Sequence, residues 1–141
     1  MRADPAHRSG RLATVLAIVV TACGTTNGAG GATGELALDA RAKPGTVEHG
    51  KASYYGRGFA GRKTASGERF DPNGMTAAHR SLPLGTRIRV TRTNGASVTV
   101  RVNDRCGCSH GRIVDLSEGA ARKLDMIRDG VVPVRLEVLG R

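Results

Sequence analysis

The stretch VTVRVNDRCGCSHGRIVDLS, residues 98–117, contains two strand patterns joined by a glycine-containing loop. Val98, Val100 and Val102 alternate with other residues, which predicts a strand with one buried face. Asp104 follows two residues later, so the pattern places an acidic group at the rim of a sheet. Functional side chains are commonly found at such strand ends. Asp104 is therefore the first candidate for chemistry in this chain.

The strand that contains Val90 precedes this stretch and is predicted to pair with it as a hairpin. A two-residue turn would place Val90 opposite Thr99 and separate the two apolar faces. A three-residue loop, residues 93–95, places Val90 opposite Val98 and keeps the apolar side chains on one face. We therefore predict the three-residue loop, with Gly95 in the left-handed conformation.

The remaining patterns predict a mainly β domain, with about six short strands in a small closed barrel and one or two short helices. Ser117 is expected to cap a helix that starts at Glu118, because its hydroxyl can accept a hydrogen bond from the first turn. Pro133 has no N–H group and predicts that the last strand begins at a sheet edge. Strands are predicted at residues 52–55, 87–92, 97–103, 112–115 and 131–139, a helical turn at 76–79 and a helix at 118–124.

The composition indicates one folded domain preceded by an address segment. The 141 residues are 39% hydrophobic and include 20 glycines and no tryptophan, which is typical of a loop-rich β domain with an aliphatic core. The net charge is +10, and so basic a chain often binds nucleic acid. The N-terminal segment argues against nucleic acid, because it directs the chain out of the cytoplasm.

Residues 1–22 have the layout of a secretory signal peptide. Arginines precede an apolar run at residues 12–20, which is too short to span a membrane. The sequence V-T-A-C that ends at Cys23 resembles the bacterial lipobox, whose cysteine is acylated and becomes the mature N-terminus. We expect Cys23 to tether the protein to a bacterial membrane from outside the cytoplasm. The alternative is an ordinary cleavage that leaves Cys23 as an odd thiol.

Residues 23–49 are interpreted as the acylated N-terminus and a flexible linker rich in glycine, threonine and alanine. The folded domain is predicted at residues 50–141. A tethered domain on a flexible spacer can reach the cell wall, whose carboxylates suit the basic charge. The expected partners are peptidoglycan glycan strands and the membrane, with the protein acting as a monomer and without a cofactor or metal.

Six motifs occur in order across residues 50–139. They are GKASYYG, TASGERFD, MTAAHRSLPLGTRIRV, RVNDRCG, HGRIVDLSEGAARKL and VRLEVL. Together they resemble the rare lipoprotein A family, which has a double-psi β-barrel and is related to expansins, barwin-like proteins and some endoglucanases. The resemblance implies a lipid-anchored lyase of the cell envelope. Such an enzyme cleaves the MurNAc–GlcNAc bond of peptidoglycan, leaves 1,6-anhydro-MurNAc and prefers strands without stem peptides.

Two features depart from that family. Cys106-Gly107-Cys108 replaces the usual Gly-Pro after Asn-Asp-Arg, as in some barwin-like relatives. Many members carry a C-terminal glycan-binding repeat domain, and none is expected here. The alternative function is a non-catalytic lipoprotein that binds wall polysaccharide or loosens the wall as expansins do. A hydrolase of other β-linked glycans is a third hypothesis.

The resemblance implies that the catalytic carboxyls are Asp104 and Glu68. A transglycosylase uses the 6-hydroxyl of the muramic acid as nucleophile, so one carboxyl can act first as acid and then as base. Asp104 is expected in that role, and Glu68 as a second carboxyl or as stabiliser of the oxocarbenium-like centre. The alternatives are that Asp104 caps the loop through backbone N–H groups and that Glu68 is a solvated surface residue.

Further residues are expected to bind substrate or support the site. His79 would orient a carboxyl or bind sugar hydroxyls. One of two consecutive tyrosines would stack on a sugar while the other packs in the core, because neighbours in a strand face opposite ways. Asp115 is expected to cap the helix together with Ser117, with a buried partnership to the Asp104 loop as the alternative. The supporting residues are His79, Asp71, Tyr54, Ser66, Arg105 and Arg112.

Cys106, Cys108 and His110 raise the question of a metal site, because thiolates and imidazole bind zinc. Three ligands so close in sequence cannot easily surround one ion. Outside the cytoplasm a disulfide between Cys106 and Cys108 is favoured, although its small ring would be strained and reducible. Two free thiols are the other alternative.

Overall fold

The computed structural model describes residues 42–141. The predictions of a signal peptide, of Cys23 acylation and of most of the linker lie outside these residues. A short helix, α1 (Glu118–Lys123), and a 3₁₀ turn (Arg57–Phe59) accompany the strands. The strands are β1 (Val47–Tyr55), β2 (Thr76–His79), β3 (Arg87–Arg92), β4 (Ser97–Asp104), β5 (Arg112–Ser117) and β6 (Val132–Gly140).

The strands close into a barrel in the order β1-β5-β2-β4-β3-β6. The pairs β1–β5 and β2–β4 are parallel, and the other neighbouring pairs are antiparallel. Closure satisfies the strand edges that an open sheet would leave unpaired. With two parallel and four antiparallel pairs in one ring of six strands, the predicted mainly β closed barrel is confirmed.

The hairpin register is the one that the valine pattern predicts. Val90 pairs with Val98, and Arg92 N–H donates to Ala96 O at 2.8 Å, which leaves a three-residue loop. Gly95 has a φ of 90°, a conformation that an L-residue with a side chain rarely adopts. The register keeps the buried valines on the core face of both strands.

Two strands and one predicted helical turn differ from the predictions by more than a shift of one residue. β1 begins at Val47, so the end of the predicted linker belongs to the sheet, and β5 continues to Ser117. Residues 76–79 form strand β2 and not the predicted helical turn. Ala77 and Ala78 have weak strand preference, but pairing with β4 on one side and β5 on the other overrides it.

Helix α1 begins as predicted. The Ser117 hydroxyl accepts a hydrogen bond from Ala120 N–H at 3.2 Å, and the helix ends one residue before the predicted Leu124. Glu118 lies in the first turn, where a carboxylate is favoured, and contacts Arg57 and Arg122. None of the helices within residues 42–141 has the length and hydropathy that crossing a membrane requires.

The core is aliphatic, as the composition predicts. Alternating residues of β3, β4 and β6 point into the barrel, and α1 closes one end. Pro133 pairs only with Lys51, because pairing between β3 and β6 starts at Val134. The largest fully buried side chains include Leu82, Ile88, Leu116, Leu124, Met126 and Leu136.

At Gly119, helix α1 packs closely against the backbone of Asn73. A Cβ atom at this position would lie 2.5 Å from Asn73 O and 2.9 Å from the carbonyl carbon of the same residue, and backbone cannot move aside as a side chain can. Gly119→Ala should therefore lower the free energy of unfolding by about 1–3 kcal/mol, measured by urea denaturation. Gly58→Ala is the control, because a Cβ there meets open space. Equal stability of the two variants would contradict the close packing.

Candidate active site

Strand β2 brings two aspartates to the same row of the sheet. Ala78 pairs with Asp104 of β4 on one side and with Asp115 of β5 on the other. Neighbouring strands lie about 4.8 Å apart, so the two aspartate Cα atoms are separated by about 10 Å across one methyl side chain. Asp104, Ala78 and Asp115 line a cleft of about 370 Å³.

Asp104 ends β4 next to an irregularity in the strand. Register shifts between Ala77 and Ala78, so Asn103 is an extra residue in β4, and such bulges re-aim side chains. Asp104 Oδ1 accepts hydrogen bonds from Ala65 N–H at 2.9 Å and Arg105 N–H at 2.8 Å. The carboxylate therefore caps the loop, as the alternative interpretation expects, and also lines the cleft.

Asp115 does not cap the helix, so that prediction is wrong. It lies inside β5 between buried Val114 and Leu116, and strand alternation turns it to the face opposite the core. Asp115 Oδ1 accepts a hydrogen bond from the Ser53 hydroxyl and lies 3.7 Å from Arg112 Nη1. Alternation along residues 112–117 is the sequence signal that favours the alternative interpretation, in which this residue is a buried partner of the Asp104 loop.

The two consecutive tyrosines face opposite ways, but in the reverse of the predicted assignment. Tyr54 packs against the core, and its hydroxyl donates to Ile127 O at 3.2 Å. Tyr55 lines the cleft, with its ring centroid 4.4 Å from that of Phe70. Burial, followed by the negative charges of Asp104 and Asp115, raises the pKa of Tyr55 above its ordinary value of 10.0. Its hydroxyl thus remains a hydrogen-bond donor.

Phe59 extends the aromatic wall of the cleft. Its ring stands edge-on to Tyr55 at 6.1 Å, and it is 47% exposed. The Arg62 guanidinium lies 5.3 Å from the ring centroid. An exposed aromatic beside two carboxyls is suited to the apolar face of a sugar ring. No motif in the sequence singled out Phe59.

Glu68 lies outside the group of residues that line the cleft. Arg101 Nη1 and Nη2 donate to its two oxygens at 2.8 and 2.9 Å, and Asn103 Nδ2 donates at 3.1 Å. These hydrogen bonds lower the pKa of Glu68, that from Arg101 most. Glu68 therefore ties its loop to β4 as a carboxylate, and its predicted catalytic role stays a prediction.

The loop that carries Glu68 is a folded hairpin. Lys63 and Arg69 form a bridge across it, and Thr64 N–H donates to Glu68 O at 2.8 Å. Ser66 N–H donates to Asn103 O at 3.0 Å, so Ser66 supports the loop by fixing it to β4. The loop forms one wall of the cleft through Arg62, Lys63 and Thr64.

Asp71 and His79 are placed away from Asp104. Asp71 Oδ1 accepts from Asn73 N–H at 2.9 Å, which is the loop-stabilising role that aspartate commonly has. His79 is buried, and its Nδ1 accepts from Leu82 N–H at 3.0 Å, which places the proton on Nε2. Nε2 lies 3.5 Å from a Glu48 oxygen in a second cleft. Burial lowers the pKa of His79, partly offset by Glu48.

The two predicted arginines flank the site. Arg105 lines the cleft, and its guanidinium donates to Leu82 O at 2.8 Å, beneath β2. Arg112 donates to the Ser53 hydroxyl at 3.2 Å and reaches Asp115. Ser53 and Arg112 together hold the Asp115 carboxylate in one orientation.

The Cys106-Gly107-Cys108 loop forms another wall of the cleft. A disulfide joins Cys106 to Cys108, with 5.1 Å between their Cα atoms, and Arg80 Nη2 donates to Cys108 O. The sulfur atoms and a carboxylate oxygen of Asp115 lie within 4.8 Å of one another. His110, the third ligand considered from sequence, is exposed, and its Nδ1 lies 2.8 Å from Ser109 Oγ.

Comparison with known proteins assigns the family. Residues 47–136 match the model of the lytic transglycolase family. A probable endolytic peptidoglycan transglycosylase RlpA of Nostoc sp. is 68% identical over 95 residues, which are 65% of this chain and 26% of that protein. The endolytic peptidoglycan transglycosylase RlpA of Campylobacter jejuni is 53% identical over 97 residues, 68% of this chain and 35% of that protein. The chain thus spans about a third or less of these relatives.

Solved structures share the fold. A point mutant of a Clavibacter michiganensis expansin, in complex with cellohexaose, is 28% identical with a TM-score of 0.55, over 67% of this chain and 50% of that one. Streptomyces papain inhibitor has a TM-score of 0.57 at 24% identity, over 68% of this chain and 96% of that one. With the family model matched from β1 into β6 and the same barrel found in these structures, the chain belongs to the lytic transglycolase family and has its double-psi β-barrel.

Proposed function

We propose that this protein is a peptidoglycan lytic transglycosylase of the cell envelope, a lyase that cleaves the MurNAc–GlcNAc bond. The observation that carries the proposal is the pair Asp104 and Asp115, which face one cleft from either side of Ala78. The relatives named as peptidoglycan transglycosylases support the reaction class.

Asp104 is the group that moves the proton in this mechanism. Asp115 is held in place by the Ser53 hydroxyl and by Arg112 at 3.7 Å, which suits a fixed stabilising group. Asp104, at the end of β4, gives its proton to the leaving GlcNAc oxygen as the glycosidic bond breaks. It then takes the proton of the muramic acid 6-hydroxyl, whose oxygen bonds to C1 and closes the 1,6-anhydro ring. The carboxylate of Asp115 stabilises the oxocarbenium-like centre between these steps.

The lining of the cleft supports a preference for glycan strands without stem peptides. Removal of the peptide leaves a free lactyl carboxylate on each muramic acid. Arg62, Lys63 and Arg105 line the cleft and are exposed, so they can pair with such carboxylates. Phe59 offers the apolar face on which a sugar ring can stack.

The protein would act from the membrane on the adjoining wall. Acylation of Cys23 would anchor it, residues 24–46 would span the gap, and the barrel would work as a monomer. The basic charge of the chain suits the anionic carboxylates of the wall.

A non-catalytic role in wall binding is the second candidate function. One observation favours it: the expansin whose barrel resembles this one was solved with cellohexaose bound. An expansin-like protein would use the same aromatic wall and cations but would release no anhydro product.

Product analysis separates the two functions. Asp104→Asn and Asp115→Asn should each lower the rate of anhydro-MurNAc release from purified glycan strands by at least about 100-fold, because each removes one acid, base or charge-stabilising group. Mass spectrometry measures the product. Asp129→Asn is the matched control, since Asp129 is exposed and pairs with Arg92 away from the cleft. Strand binding without product from the wild type would establish the non-catalytic function.

Substitution of Glu68 should affect stability more than glycan cleavage, unlike substitution of the two aspartates. Glu68→Gln weakens the ion pair with Arg101, so at pH 7 it should lower the free energy of unfolding by no more than about 1 kcal/mol, because both side chains are exposed. Since the folded-state pKa is depressed, this stabilisation is present above the ordinary value of 4.5 and is lost as the pH falls through the folded-state value.

Urea unfolding of Glu68→Gln, Arg101→Gln and the double variant at two pH values measures this coupling. Glycan cleavage by Glu68→Gln should fall far less than that by Asp115→Asn. A loss as large as that of Asp104→Asn, with an unchanged fold, would instead make Glu68 a catalytic carboxyl.

A further inference from the structure

The disulfide wall of the cleft contains a set of metal-binding groups. The sulfur atoms of Cys106 and Cys108 and a carboxylate oxygen of Asp115 lie within 4.8 Å of one another. Two of these residues come from one loop, and the third comes from strand β5. Ligands from two separate segments can surround an ion, which the adjacent group of Cys106, Cys108 and His110 cannot do easily.

The spacing is close to what zinc requires. With Zn–S distances of about 2.3 Å and tetrahedral angles, two ligand sulfurs lie about 3.8 Å apart, and the oxygen lies slightly nearer. After the disulfide opens, the two sulfur atoms therefore need to move apart by only about 1–2 Å to bind zinc. Gly107 has room for them, because a Cβ atom there would meet no other atom within 4 Å.

The surrounding charges suit the bound state. Two thiolates and one carboxylate around a divalent cation carry a net charge of −1. Arg112 lies 3.7 Å from Asp115, and Arg80 donates to Cys108 O, so two cationic side chains contact the ligand residues. Asp104 lies outside this group of ligand atoms, and its Oδ1 accepts two backbone hydrogen bonds. The fourth position would face the cleft and take water.

We propose that the reduced form of this protein binds one thiophilic divalent cation, such as Zn²⁺, through Cys106, Cys108 and Asp115. A dithiol reductant supplies two electrons and two protons, which convert the disulfide into two thiols while the dithiol becomes a disulfide. The cation then displaces the two thiol protons and bonds to both sulfurs. The consequence rests on the proposed function: a metal on Asp115 removes the stabilising carboxylate and blocks the cleft.

Metal titration of the full chain tests the site directly. Cys23→Ser serves as the reference, so that only Cys106 and Cys108 supply thiols. The chain is reduced with a dithiol, freed of it without oxygen, and titrated with Co²⁺ and then Zn²⁺. One Co²⁺ per chain with a thiolate charge-transfer absorption, displaced by Zn²⁺, is expected. The oxidised chain should bind at least about 100-fold more weakly, since a disulfide offers no thiolate. Equal binding by both forms would overturn the proposal.

Variants identify the ligands. Cys106→Ser and Cys108→Ser should each remove the Co²⁺ charge-transfer band that two thiolates together produce. Asp115→Asn should weaken Zn²⁺ binding at least about 10-fold, since loss of a residue that only supports a ligand already lowers metal affinity by that factor. Asp129→Asn should bind as the reference does. Unchanged affinity in Asp115→Asn would overturn the three-residue site, and far-ultraviolet circular dichroism verifies that each variant is folded.

Activity is a separate readout. Zn²⁺ should inhibit glycan cleavage by the reduced chain and leave the oxidised chain active. If neither form cleaves glycan, the proposed function fails while the titration still decides the metal site. If the reduced chain binds Zn²⁺ and keeps full activity, the proposed block of the cleft is wrong.

Discussion

The pairing of β2 between β4 and β5 is the constraint on which the site depends. β2 has only four residues, and both of its edges are used. Its register sets Ala78 opposite Asp104 and Asp115 at once, so the two carboxyls share a row of the sheet. A larger side chain than alanine at this position would fill the space between them. The cleft is therefore a product of strand register and of one small residue, and not of any single motif.

The hairpin loop before β2 completes the cleft because polar contacts hold it to β4. Asp104 accepts from Ala65 N–H, Ser66 N–H donates to Asn103 O, and Glu68 binds Arg101. These contacts all fall at the end of β4, where the bulge occurs. The same carboxylate that faces the cleft thus also positions the wall opposite to it. Capping and catalysis, which look like alternatives for Asp104 in the sequence, are compatible in the structure.

Much of the fold follows from the sequence, because alternation and turn chemistry are local. The valine pattern and Gly95 determine the register of the β3–β4 hairpin, and Ser117 predicts the start of α1. The sequence does not predict β2, because its strand state comes from neighbours far away in sequence. Within the site, the strand end identifies Asp104. The prediction that Asp115 caps the helix is wrong because the nearby Ser117 suggests this simpler local role. The tyrosine that lines the cleft is Tyr55 and not the predicted Tyr54, because alternation shows that the two face opposite ways but not which face is the core.

The two walls of the cleft differ in the contacts that hold them in place. The hairpin wall is fixed by hydrogen bonds and an ion pair, none of which depends on redox state. The opposite wall, Cys106-Gly107-Cys108, is fixed by a disulfide and by the Arg80 hydrogen bond to Cys108 O. It is also where the sequence departs from the Gly-Pro of the family it resembles. A disulfide, which a dithiol can reduce, thus lies beside Asp115. The barrel fixes the positions of the two aspartates, whereas this wall of the cleft is held by a bond with chemistry of its own.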